Sequence, residues 1–140
     1  MTYICNCKTA LFDEKEAKRI FKNNERYLNC PIKYDILRYS DWFFTVLNNK
    51  GETVGICYIL MDKYKDELVP FYSGAFDRKT NKEVKEAHKL LLDTAFHYFD
   101  KVFTWTPHLH ARIFNKRAGM RELDNNVFIM ERENFKKEKK

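Results

Sequence analysis

The chain has 140 residues, 44% of them hydrophobic and 16% aromatic, with only four glycines and three prolines. That composition lets one domain, expected over residues 1–135, bury a core without staples, and it excludes a disordered or loop-rich repeat protein. The formal net charge is +6, but the terminal KKEKK run at 136–140 carries half of it on a tail expected to be loose, so the body shows no strong basic bias and a nucleic-acid partner is not expected.

No run reaches the ~20 apolar residues that span a bilayer, and the opening MTYICNCKTALFDEKEAK lacks an apolar signal core. Four cysteines without such a leader are expected as reduced thiols in a cytoplasm. Cys5 and Cys7 fall on one strand face, yet C-x-C is not the C-x-x-C spacing of common zinc loops, so buried thiols and no metal are expected.

In chain order, residues 2–8 read as a short strand. DEKEAKRIFKNN follows as a helix, with Asp13 as N-cap, Glu16 three residues on, and an apolar stripe of Ala17, Ile20 and Phe21. Cys30-Pro31 interrupts regularity, and IKYDILRY fits a strand or a helical turn. WFFTVLNNKGETVGICYILM is a hairpin in which Gly51 supplies the left-handed turn position, and Trp42, Phe43 and Phe44 are expected to pack inside or on a neighbouring helix. After polar DKYKD comes ELVPFYSGAF, where Pro70 predicts a bulge or an unpaired backbone position because it has no N–H for a ladder. Residues 81–99 form a helix whose apolar face holds Val84, Ala87, His88, Leu91, Ala95, Tyr98 and Phe99. KVFTWTP is a strand ended by proline, HLHARIFNKRA a helix stopped by Gly119, and NNVFIMER a last strand through which two copies would dimerise. The order is β-α-β-β-β-α-β-α-β, an α/β arrangement with one mixed, mostly antiparallel sheet flanked by helices.

The histidines do not form a centre. Two positions on a helix are about 200° apart, so His108 and His110 chelate together only if their segment stays extended. His88, on an apolar face, reads as a half-buried histidine with a satisfied ring, and His97 pairs with Asp93 at the surface. Phe103 and Trp105 alternate with Thr104 and Thr106 and are expected in the core, the alternative being an aromatic wall along an acyl channel.

Three segments resemble the GNAT superfamily of acyl-CoA N-acyltransferases, over residues 42–130: the hairpin FTVLNNKGETVGICYI with its Val54-Gly55 pair, the run LVPFYSGAF before a long helix, and TPHLHARIFNKRAGM, which is similar to the family's N-x-x-A…Y-x-K-x-G-F ending. The resemblance implies a single GNAT-like fold in which the fourth and fifth strands splay apart. The pantetheine arm of acetyl-CoA then lies on the freed strand edge, and its pyrophosphate rests at the start of the next helix. An acid, often a tyrosine after the fifth strand, protonates the leaving thiolate.

Two departures fall on that chemistry. The glycine-rich R/Q-x-x-G-x-G turn is replaced by DRKTNKEVKEA, leaving Phe76, Arg78, Lys79, Lys82 and Lys85 as the cofactor-binding candidates. The tyrosine position holds Asn115, and an amide does not donate a proton at useful pKa. Tyr72 is then the candidate acid, and His108, at the family's usual asparagine position, completes the catalytic candidates. The resemblance implies N-acetyl transfer to a small amine or a protein amino group. The alternative is a catalytically silent GNAT-shaped binding or assembly module with a protein partner, of the kind found among phage and mobile-element proteins.

Overall fold

The computed structural model describes residues 1–28, 32–77 and 81–139. Its strands are β1 (Tyr3–Asn6), β2 (Phe43–Leu47), β3 (Thr53–Tyr64), β4 (Glu67–Phe76), β5 (Lys101–Trp105), β6 (Arg121–Asp124) and β7 (Val127–Glu131). They form one sheet in the order β1-β2-β3-β4-β5-β7-β6, in which only β4 and β5 pair in parallel. The helices are α1 (Glu14–Asn24), α2 (Tyr34–Arg38), α3 (Asn81–Ala95), α4 (Leu109–Arg117) and α5 (Arg132–Lys139). None of the described helices is long and apolar enough to cross a membrane.

Alternation along the strands divides the core. Cys57, Ile59, Tyr72, Val102 and Phe128 meet Ala87, Leu91 and Ala95 of α3 and Phe135 of α5. On the other face Phe43, Ile56, Tyr58 and Ala75 meet Ala17, Ile20 and Phe21 of α1 and Leu37 of α2. A smaller cluster of Val69, Phe103, Val127 and Ile129 continues that second face beneath β4, β5 and β7.

The Asp13 cap forms as expected, its carboxylate accepting the Glu16 N–H at 3.2 Å. The Glu16 carboxylate turns instead to Arg19 at 2.7 Å, and Arg19 also grips Asp77 at 2.8 Å, which fastens α1 to the end of β4. Gly51 takes a φ of +78° in the β2–β3 turn.

Several expectations are corrected. Residues 34–38 are helical, which settles IKYDILRY. Polar DKYKD holds the end of β3 and its turn: β3 runs to Tyr64 and turns through Lys65-Asp66, both at positive φ. Pro70 makes no bulge, because the β3–β4 register passes through it unbroken. α3 ends at Ala95, leaving Tyr98 exposed and Phe96 buried in its place. Trp42 packs on Tyr98 and Phe99 with ring centroids 5.6 and 5.4 Å away. Trp105, expected inside, is 41% exposed, whereas Phe103 is buried. The NNVFIMER strand is β7, which lies between β5 and β6 and so offers no free edge for a dimer. β6 precedes it, joined by the positive-φ pair Asn125-Asn126. α5 carries the chain as helix to Lys139, over most of the segment expected to be loose.

Candidate active site between β4 and β5

β4 and β5 share a single register pair, Phe71 with Phe103. One residue on, the Tyr72 carbonyl accepts a hydrogen bond from Thr104 Oγ1 at 2.8 Å, a side chain standing where a backbone amide would continue the ladder. Beyond that point β4 continues to Phe76 while β5 stops at Trp105. The two strands therefore part with an apex at Tyr72.

The hydrogen-bond phase of β4 determines what faces the opening. Asp77 N–H donates to the Val54 carbonyl at 2.8 Å. With an unbroken register, alternate residues counted back from Asp77 bond to β3, and those between them point the other way. Pro70, Tyr72, Gly74 and Phe76 are the outward set. Pro70 thus lacks an N–H only on the side where β3 does not need one. Gly74 and Phe76 turn N–H and C=O into the opening, and among the described residues no strand pairs with them there.

The edge is held in place by close packing. A Cβ on Gly55 would stand 2.6 Å from the Phe76 ring and 2.8 Å from the Ala75 carbonyl, so the Val54-Gly55 pair lets the end of β4 lie flat on β3.

At the apex the Tyr72 hydroxyl reaches α3. It lies 2.7 Å from His88 Nε2 and 3.0 Å from Met120 Sδ. The His88 ring meets Phe114 of α4 edge-on, centroids 5.1 Å apart at 82°. Burial raises the Tyr72 phenol well above its ordinary range and lowers His88 to about 4. Both groups are therefore uncharged at neutral pH.

Asn115 is a buried clip. Its Nδ2 donates to Thr106 Oγ1 at 3.1 Å and its carbonyl accepts the Met120 N–H at 3.0 Å, fixing α4 to the end of β5. His108 is the exposed residue preceding α4 (φ −83°, ψ 133°), and its side chain makes no cap bond. His110 is exposed within the helix, so the two do not converge, and among the described residues no group of three or more His, Cys, Asp or Glu is placed to hold a metal. Cys5, Cys7 and Cys57 are buried free thiols.

Arg78 and Lys79 lie outside the described residues. Lys82 and Lys85 are both exposed and lie one helical turn apart on α3. Lys82 lines a polar cavity of about 310 Å³ with Thr2, Asn48, Glu52, Glu83 and Glu86, between the start of α3, the N-terminus and the β2–β3 turn. Lys85 lies about 60° around the helix from Lys82 on one side and from His88 on the other. The structure thus joins Tyr72 and Phe76 at the opening.

His88 is the site residue that sequence reasoning passed over. Its helical spacing correctly put it on the apolar face, but nothing in the spacing says that a strand hydroxyl lies opposite. Thr104 and Thr106 were read only as spacers between aromatics.

No family model and no curated protein matches the chain. Solved structures do. A candidate acetyltransferase from Exiguobacterium sp. 255-15 superposes with a TM-score of 0.65 and 9% identity over 100% of this chain and 99% of that one. FeeM, an N-acyl amino acid synthase from uncultured soil microbes, gives 0.64 and 11% over 99% and 98%. A GNAT-family acetyltransferase from Staphylococcus aureus Mu50 gives 0.55 and 16% over 94% and 99%. At these identities the likeness is one of fold.

Proposed function

The chain is a divergent GNAT-fold protein, and we propose that it transfers an acetyl group from acetyl-CoA to an amine. The observation that carries this reading is the parting of β4 and β5, with the Gly74 and Phe76 backbone groups turned into the gap. A pantetheine arm carries amides with the same donor–acceptor alternation as a strand and would add to this edge by β-augmentation. The start of α3 provides its dipole for the phosphates, supported by Lys85 and by Arg78 and Lys79. Free thiols at Cys5, Cys7 and Cys57 favour a reducing compartment such as the cytoplasm.

In the reaction the acceptor nitrogen attacks the thioester carbonyl, the C–N bond forms and the C–S bond breaks. The amine's surplus proton leaves to water. The thiolate takes the phenolic proton of Tyr72, which water restores. Asn115 holds α4 against β5, His108 at the start of α4 would lie near the pantetheine arm, and the acceptor would be a small amine or a protein amino group.

Calorimetry with acetyl-CoA tests the reading, together with hydrogen exchange at two amides. We expect a Kd in the micromolar range and at least about tenfold slower exchange at Gly74 and Phe76 on binding. No heat at millimolar ligand would remove the transferase. It would favour the second reading, a binding or assembly module, which rests on the locked Asn115 and the glycine-free turn before α3.

A further inference from the structure

We propose that His88 is the positioning residue of this site, carrying its hydrogen on Nε2 and donating it to the Tyr72 hydroxyl oxygen. The Tyr72 hydrogen is thereby directed at Met120 Sδ. The inference rests on the acyltransferase reading for its consequence, but the hydrogen-bond arrangement stands apart from it.

A phenol has one hydrogen, and the Tyr72 oxygen lies within hydrogen-bond distance of two groups. A thioether sulfur only accepts, whereas a neutral imidazole nitrogen donates or accepts according to its tautomer. Both contacts are satisfied together only when the hydroxyl hydrogen goes to sulfur and Nε2–H donates to oxygen. The ring is held for this by Phe114 at 5.1 Å and by the Tyr72 ring at 5.3 Å, neither of which carries charge.

The arrangement suits proton delivery. A hydrogen bond to sulfur is weak, so little is lost when the phenolic hydrogen turns from Met120 toward the thiolate as the C–S bond breaks. Negative charge then builds on the Tyr72 oxygen in a buried place, where it is costly. The Nε2–H bond to that oxygen becomes charge-assisted at the same moment and offsets the cost. Water finally returns a proton to the phenolate while the amine has lost one to water, so the exchange balances.

The test has two arms. Nitrogen-15 NMR of histidine-labelled protein at pH 7, with His88 assigned through His88→Gln, reads the tautomer directly. We expect Nε2 protonated and Nδ1 bare, and the reverse pattern overturns the proposal whatever the activity. In the kinetic arm, His88→Leu should lower kcat at least about tenfold with the KM for acetyl-CoA within about twofold. His88→Gln, whose amide N–H reaches the Nε2 position, should recover most of that loss. An unaltered kcat in His88→Leu, or equal losses in both variants, would overturn the proposal. Wild-type protein that shows the expected tautomer yet binds no acetyl-CoA would end the acyltransferase reading alone.

Discussion

Replacing Tyr72 with Phe removes one oxygen from a place where it answers two neighbours. The buried His88 Nε2 would lose its partner, which should cost about 1–2 kcal/mol of stability by urea unfolding. Transfer should fall roughly a hundredfold while the acetyl-CoA Kd holds, because the ring keeps the apex filled. His88 makes a second prediction. In the unfolded chain it binds a proton below its ordinary value of 6.5, but in the folded protein only at about 4. Unfolding therefore takes up a proton between those values, so stability is full above pH 6.5 and falls as pH drops toward 4, by up to roughly 3 kcal/mol. Urea unfolding at pH 7, 5.5 and 4.5 should show this slope, and His88→Gln should flatten it. A slope unchanged in the variant would place the proton uptake elsewhere. At this scale the sequence shows which side chains have suitable chemistry: the resemblance left Asn115 in the tyrosine position and made Tyr72 the replacement. It does not reveal that Asn115 bonds to Thr106, because that contact depends on how α4 leaves β5.

Turns and close strand contacts govern the elements. The β2–β3 hairpin was legible because Gly51 marks it. The β6–β7 turn was missed because Asn125-Asn126 hold positive φ without glycine. The β3–β4 turn does the same through Lys65-Asp66, and the local conformational cost there is carried by the long β3–β4 ladder. Asp66→Gly should relieve that cost and raise stability by up to about 1 kcal/mol, read as a higher Tm. Gly55→Ala has the opposite sign. Its Cβ meets both the Phe76 ring and the Ala75 carbonyl, and a carbonyl cannot swing aside, so a loss of about 1–3 kcal/mol is expected. The same substitution should weaken acetyl-CoA binding, because it displaces the part of β4 that faces the gap. Pro70 shows how one chemical rule admits two outcomes, of which the unpaired backbone position and not the bulge is realised. Proline does lack an N–H, but which flank of the strand it leaves bare depends on hydrogen-bond phase, set here by Asp77 and Val54.

Across the molecule, the parting of β4 and β5 divides the sheet into β1–β4 and β5–β7–β6. The four-strand half and its helices were legible from alternation and spacing. The hairpin of β6 and the helix α5 were not, since RELD is charged and α5 lies in a lysine-rich end that resembles solvated tail. A ligand bridging the two halves should stabilise the whole fold. At acetyl-CoA a hundredfold above its Kd, mass action gives about 2.7 kcal/mol, visible as a rise of several degrees in Tm. Absence of any rise would mean that the cofactor does not engage the native state.

The seam is stitched at the end away from its mouth. Lys101 pairs with Glu67 at 3.2 Å, the Tyr64 hydroxyl donates to Asp124 at 3.0 Å, and Lys65 reaches the same carboxylate at 3.2 Å. Like a bound book, the sheet can fall open only along its unbound side, at Phe76. A long, thin guest would therefore enter from that side, slender tip first, with its bulky charged head left outside and its exit retracing the same route.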